Sequence, residues 1–225
     1  AEGRTPGATR QGSANVAKGR TPGATRQGSA GEIELSLADK WIQSRLQQTV
    51  RSVTDAIEAY RFDHAAQAIY EFTWNQYCDW YIELSKTVLN DDHASEAAKR
   101  GTRKTLVTVL ESLLRLAHPL IPFITEEIWQ SVAPLAAVSG NTVMTQPYPL
   151  FDEALVNTYV EDEMQWVMDF ILGIRKIKGE MNISPGKHVP VLLSHCSPID
   201  EQRALDHRAY LDFLARTESI TVLAE

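Results

Sequence analysis

The residues whose types and spacing could do chemistry fall into one aromatic stretch and two basic runs. Tyr70 to Lys86, YEFTWNQYCDWYIELSK, crowds Tyr70, Phe72, Trp74, Tyr77, Trp80 and Tyr81 together with four charges. Aromatics at so many angles around one helix cannot all enter a single core, and Trp74 and Trp80, six positions apart, face different sides. Two readings stand. In one, the helix is buried on two faces within a bundle. In the other, an exposed ring stacks on an unstacked nucleobase while Lys86 or a neighbouring basic run holds phosphate. The first basic run, Lys99, Arg100, Arg103 and Lys104, forms i,i+4 pairs that make one ridge at the start of a helix. The macrodipole disfavours cations there, so the ridge points to an anionic partner, with a solvated face as the plain alternative. The second run, Arg175, Lys176 and Lys178, ends a helix, where the dipole favours cations and the case for binding is weaker.

Other chemistries find little support. The six histidines form no H-E-x-x-H or other close ligand pair, so no metal is expected. No G-x-S-x-G, G-x-G-x-x-G or G-x-x-x-x-G-K-[ST] occurs, and no catalytic residue is assigned. Glu126-Glu127 and Asp91-Asp92 are adjacent pairs whose side chains diverge, and both read as solvated surface. His118 reads as a partner of helix-end carbonyls and Cys78 as a packed thiol. Cys78 and Cys196 lie far apart and form no C-x-x-C pair, which fits a reducing cytosol better than a disulfide framework. No apolar run approaches the ~20 residues that span a bilayer, and no signal-peptide core precedes the body, so membrane and export readings drop out.

The elements that must position these residues are mostly helical. Ser36 and Asp39 form a capping box, and Ile42, Leu46, Val50, Val53, Ile57 and Tyr60 follow at helical steps. A second helix is expected from Ala65, capped by Asp63, to about Leu89, and a third from about Ala94 to Ala117, closed by His118-Pro119. Pro122 can open a fourth that ends before Pro134. Four helices with short connections make a bundle. Residues 135–158 lose the period and read as a long connection. Helical spacing returns from Met164 to Met181, followed by alternation at Val189, Val191 and Leu193, a helix over 200–216 and a strand over Ile220 to Leu223. The fold class is therefore mainly α, a helical bundle followed by a small C-terminal α/β subdomain.

Length and charge fit that picture. The 225 residues suit one ordinary domain plus an appendage or two small domains. The first 31 contain a perfect twelve-residue repeat at a period of sixteen, Gly3–Ala14 recurring as Gly19–Ala30, with Val16 as their only large aliphatic residue. They read as disordered, either a basic arm for nucleic acid or, as perfect identity favours, a duplicated linker or engineering scar. They hold five basic residues and one acid, which leaves 17 basic against 28 acidic side chains in the body, a charge of −11. A body so acidic is a poor general binder of polyphosphate, so any nucleic-acid role needs a local patch. The chain divides into residues 1–31, a bundle over 32–158, and a helix with the small α/β subdomain over 159–225.

Several motifs in this order are recognisable. They are Ser36-Leu-Ala-Asp-Lys-Trp41, Arg61-Phe-Asp63 with Ala65-Ala66, Tyr70-Glu-Phe-Thr-Trp-Asn75, Cys78-Asp-Trp-Tyr81 and Arg100-Gly-Thr-Arg103. Further along come Leu113-Leu-Arg-Leu-Ala-His-Pro119, Ile121-Pro-Phe-Ile-Thr125 and Glu180-Met-Asn-Ile-Ser-Pro-Gly-Lys187. Together they resemble the anticodon-binding region of bacterial valyl-tRNA synthetases over about residues 32 to 225. The leucine and isoleucine relatives share the bundle and the His-Pro-x-x-Pro-Phe element.

The resemblance implies a class I synthetase that joins valine to its tRNA with ATP and magnesium, through a Rossmann catalytic domain, an inserted editing domain, this bundle on the anticodon stem-loop, and a coiled-coil arm. The His-x-Gly-His and Lys-Met-Ser-Lys-Ser motifs of the catalytic domain are absent, so no adenylation and no cofactor are expected of this chain alone. A first bundle helix and the coiled-coil arm have no counterpart either, which leaves an incomplete RNA-binding module. On this resemblance the expected tRNA contacts are Arg100, Arg103 and Lys104 for phosphate, with Lys86 beside them, and Trp74 for stacking or for shaping the groove. The expected partners are the tRNA for valine, the missing synthetase domains and, through an apolar groove that the absent helix would leave, a second copy. The alternative is a structural or assembly fragment with no RNA binding of its own, and a split enzyme would need its catalytic domain from a separate chain.

Overall fold

The computed structural model describes residues 31–223; the disorder expected of residues 1–30 lies outside the described residues. The first helix opens as its capping box dictates. Ser36 Oγ accepts from the Asp39 amide at 3.1 Å, Asp39 Oδ2 accepts from the Ser36 amide at 2.9 Å, and α1 (Leu37–Glu58) follows. Its stripe of Trp41, Ile42, Leu46, Val50 and Val53 is buried. The chain then turns through Tyr60, at a φ of 58°, into one helical run made of α2 (Phe62–Glu71), a π-helical stretch (Phe72–Tyr81) and α3 (Ile82–Leu89). Next come α4 (Glu96–Ala117) and α5 (Pro122–Val132). The later α6 (Thr158–Glu180) packs with α2 and α4 around α1.

The aromatic stretch is spread around its helix by the π turns, in which N–H groups reach the carbonyl five residues back. Phe72, Tyr77 and Tyr81 are buried at five- and four-residue spacing, Trp80 is half-buried, and Trp74 is exposed. Tyr81 ends on the central polar knot of the bundle. The Asp39 carboxylate, with no exposed surface, accepts from Tyr81 OH at 2.6 Å, Thr102 Oγ1 at 2.8 Å, and the Ser36 hydroxyl and amide. One carboxylate thus ties α1, the π-helical stretch and α4 together. Burial and the Asp39 charge push the Tyr81 phenol above its ordinary pKa, so it stays a donor.

Gly101 shows why α4 can approach the segment before α1. A Cβ there would fall 2.0 Å from the Glu34 carbonyl oxygen, so only glycine lets residues 32–36 lie on the helix, with the Glu34 amide on Ala97 O at 3.1 Å. At the far end of α4, Glu111 accepts a bidentate pair from Arg115, Nε to Oε1 and Nη2 to Oε2, and the Trp129 indole N–H at 2.9 Å, which anchors α5. Two short turns, Val143–Thr145 and Glu153–Leu155, punctuate the connection to α6.

The C-terminal part is built on α6. Its Val160, Met164, Val167 and Ile171 join the bundle core, and the same core continues into Tyr210, Leu211 and Ala215. Beyond it, β1 (Val189–Leu193) and β2 (Thr217–Val222) pair in parallel, linked by α7 (Pro198–Asp206) and α8 (Arg208–Ala215). The register slips between Val189 and Pro190, where proline offers no N–H to the ladder. Glu163 on α6 holds this part in place through Arg203 at 2.9 Å and His207 at 2.9 Å, and Trp166 Nε1 donates to Asp200 at 2.9 Å.

Helical bundle plus small α/β subdomain is the architecture observed, with corrections in detail. Asp63 is not the cap of the second helix. The cap is Arg61, without a side-chain cap bond, and Asp63 in the first turn accepts from the Arg61 guanidinium at 2.8 Å. The third helix starts at Glu96 behind Ser95, α6 starts at Thr158 behind Asn157, and β2 starts at Thr217. The helix expected over 200–216 breaks at His207 into two. Glu126 is not idle surface: it accepts from Thr142 Oγ1, the Val143 amide and Gln130, clamping the loop after α5. No described helix is long and apolar enough to cross a membrane.

Candidate nucleic-acid interface

The basic ridge begins where Ser95 Oγ accepts from the Ala98 amide at 3.0 Å and starts α4. Arg103 and Lys104 are exposed, and no carboxylate of the described residues lies within 4.0 Å of Lys99, Arg100, Arg103 or Lys104. The four do not act alike. Arg100 donates through Nη2 to the Glu32 carbonyl at 3.0 Å, and its buried Nε has no partner. It is spent partly on holding residues 32–34, whereas Arg103 and Lys104 remain open to an anion.

Lys86 stands in the last turn of α3, and only six residues separate α3 from α4, so Lys86 and the ridge share one end of this hairpin. Its ammonium meets Glu83 at 2.6 Å, but both side chains are about two-fifths exposed, and such a surface pair is worth well under 1 kcal/mol. Lys86 also lines a shallow cavity with Asn90, Asp91, Asp212, Phe213 and Arg216, which brings α8 to the same end.

Trp74 lies elsewhere. It is 53% exposed, its ring 6.4 Å from that of Tyr70, and it walls an apolar groove of about 250 Å³ with Ile69, Ala117, Leu120 and Ile121. Ala117 ends α4, and at 1.5 Å per residue it is roughly 20 Å from Lys104. The structure therefore gathers Lys86, Arg103 and Lys104 at one end and sets Trp74 at the other, beside exposed Ile121, Phe123 and Ile124. A single small ligand cannot touch both; a stem-loop can.

One site escaped the sequence. A cavity of about 380 Å³ opens between α1, the π-helical stretch and α6, walled by Trp41 and Trp80 and floored by polar groups of Arg45, Gln76, Glu161 and Gln165. Arg45 donates to Gln76 at 3.1 Å, to Gln48 at 2.5 Å and to Glu161 at 3.4 Å, while Ser44 also donates to Glu161. Two indoles and several amides can accept a planar polar group of nucleobase size. The π turns aim Gln76 and Trp80 here, and no period in the sequence announces a π turn. Cys78 packs against the core, and burial, then the Asp79 charge, push its thiol above its ordinary pKa. Among the described residues no cluster of three or more His, Cys, Asp or Glu could hold a metal ion.

With this geometry in view, one comparison bears on it. A family model described as the anticodon-binding domain of tRNA ligase matches residues 39–193, a span that begins at the buried Asp39 and runs through β1.

Proposed function

Since the chain belongs to the anticodon-binding domain family of tRNA ligases, we propose that it is the anticodon stem-loop module of a class I valine-tRNA ligase, acting in the cytoplasm. The family match over residues 39–193 carries the reading, and the motifs from Ser36 to Lys187 support valine over its relatives. Phosphates of the stem would lie along Arg103, Lys104 and Lys86, with Arg100 fixing the segment on which the ridge rests. Trp74, exposed at the other end, would stack on or steer the loop. Catalysis, editing, ATP and magnesium belong to other parts of such an enzyme.

Phosphate contacts position an RNA and base contacts discriminate, so the two kinds of residue should fail differently. In a panel of tRNAs, Arg103→Ala should weaken every member alike and lower the salt slope by about one. Selective loss of the valine tRNA in that variant would overturn the phosphate role, and binding of no tRNA by the wild type would overturn the function.

The apolar groove beside Trp74 favours a second reading, in which this face serves assembly with other synthetase domains or a second copy. Sedimentation across a concentration series separates them: a dimer abolished by Trp74→Ala supports assembly, and a concentration-independent monomer removes self-association.

A further inference from the structure

The last turn of α6 hides a cation that the sequence presents as a surface residue. Lys178 is 4% exposed, and its ammonium donates to the carbonyls of Lys187 at 2.7 Å, Ala215 at 2.9 Å and Pro185 at 3.5 Å. No carboxylate of the described residues balances it. It forms one wall of a cavity of about 510 Å³ whose other charged residues are Arg175 and Arg216, so three cations and no acid line it in a chain of net charge −7. Burial, then the Arg216 charge, depress the Lys178 pKa, as expected where like charges lack a counter-ion.

Both arginines are free to receive a ligand. Arg175 rests over the Trp80 ring at 5.6 Å and donates only to the Leu214 carbonyl, at 3.3 Å. Arg216 is exposed, 5.4 Å above the Phe213 ring. Its backbone is left-handed, φ 54° and ψ 55°, at the end of α8, a position where glycine is unstrained and arginine is not. Arg216 also lines the shallow cavity that contains Lys86, where Asp91 and Asp212 stand as well, so the all-cationic lining is confined to the cavity at Lys178 and only Arg216 joins it to the end of the α3–α4 hairpin.

We propose that this cavity binds a backbone phosphate of RNA, gripped by Arg175 and Arg216 in the field of buried Lys178. The proposal rests on the anticodon-binding reading and extends the RNA surface onto the C-terminal subdomain. Because Arg216 lines both cavities, a phosphate held here lies next to the end of the α3–α4 hairpin, as one phosphate of a strand would.

The test is Arg216→Gly in the full chain, because glycine keeps the left-handed backbone while removing the charge. The variant should melt no lower than wild type, bind a valine-tRNA stem-loop about three- to tenfold more weakly at low salt, and lose about one unit of salt slope. Arg175→Gln should show a similar loss. Superimposable RNA curves for wild type and Arg216→Gly would overturn the proposal. So would inorganic phosphate raising the wild-type melting temperature while RNA binding ignores the substitution, since the site would then serve small anions only. Weakened but anticodon-blind binding would keep this site and overturn the anticodon reading. No RNA binding by wild type would overturn both.

Discussion

In the bundle the most deeply buried charged side chain is Asp39, ringed by hydroxyls and an amide from α1, the π-helical stretch and α4. In the C-terminal subdomain it is Lys178, capped by three backbone carbonyls but flanked by two more cations around an open cavity. Each has its hydrogen bonds made, so satisfaction does not distinguish them. What differs is the surroundings: the anion is sealed by core, and the cation's field reaches solvent where Arg175 and Arg216 stand. A buried charge therefore marks a binding site only when its neighbours leave it uncompensated and a path to it open.

The largest effect that tests this contrast is at Asp39. Asp39→Ala strands Tyr81, Thr102 and Ser36 donors at once and should cost about 3–5 kcal/mol, read by urea unfolding, with Asp39→Asn milder. Lys178→Met keeps the stem and loses three bonds to carbonyls, and should cost about 1–3 kcal/mol while leaving α1–α5 folded. Hydrogen exchange would show the loosening confined to residues 183–223. Equal costs, or global unfolding by Lys178→Met, would erase the distinction between the two regions.

Acid should loosen the anchors of the C-terminal subdomain. Burial alone would raise the Glu163 pKa, but hydrogen bonds from His207 and Arg203 outweigh it and hold the carboxyl below its ordinary 4.5. Asp200 is likewise lowered, by Ser197 and then Trp166. A carboxylate with a depressed folded pKa stabilises the fold fully above its unfolded value and loses that contribution as pH falls through the folded one. Trp166 fluorescence should therefore change below pH 4.5 while helical circular dichroism of the bundle persists, and coincident transitions would contradict separate anchoring. The smallest stability effect is expected at Arg103→Ala, within about 0.5 kcal/mol of wild type, because the side chain is exposed and bonds to nothing described.

Much of the fold was legible wherever local chemistry decides it. The Ser36–Asp39 box, Pro122 at the start of α5 and the alternation at Val189, Val191 and Leu193 all mark real elements. The π-helical stretch was not, since ten residues are too few for its wider turn to drift visibly from an ordinary apolar stripe. The burial of Lys178 was hidden for a different reason: a lysine in a last helical turn looks like a dipole partner, and the carbonyls that take it come from residues 185, 187 and 215. Trp74 and the ridge were each visible as residues able to contact RNA. Their placement at opposite ends depends on axial rise along two helices, which angular periodicity does not report.

The most direct measurement is equilibrium binding of the full chain to the valine-tRNA stem-loop and to the same stem-loop with an altered anticodon, at two salt concentrations. Tighter binding to the valine anticodon at both salts, with a parallel salt dependence for the two RNAs, is the expected result. Equal affinities that vanish together as salt rises would contradict anticodon recognition and leave only a basic surface.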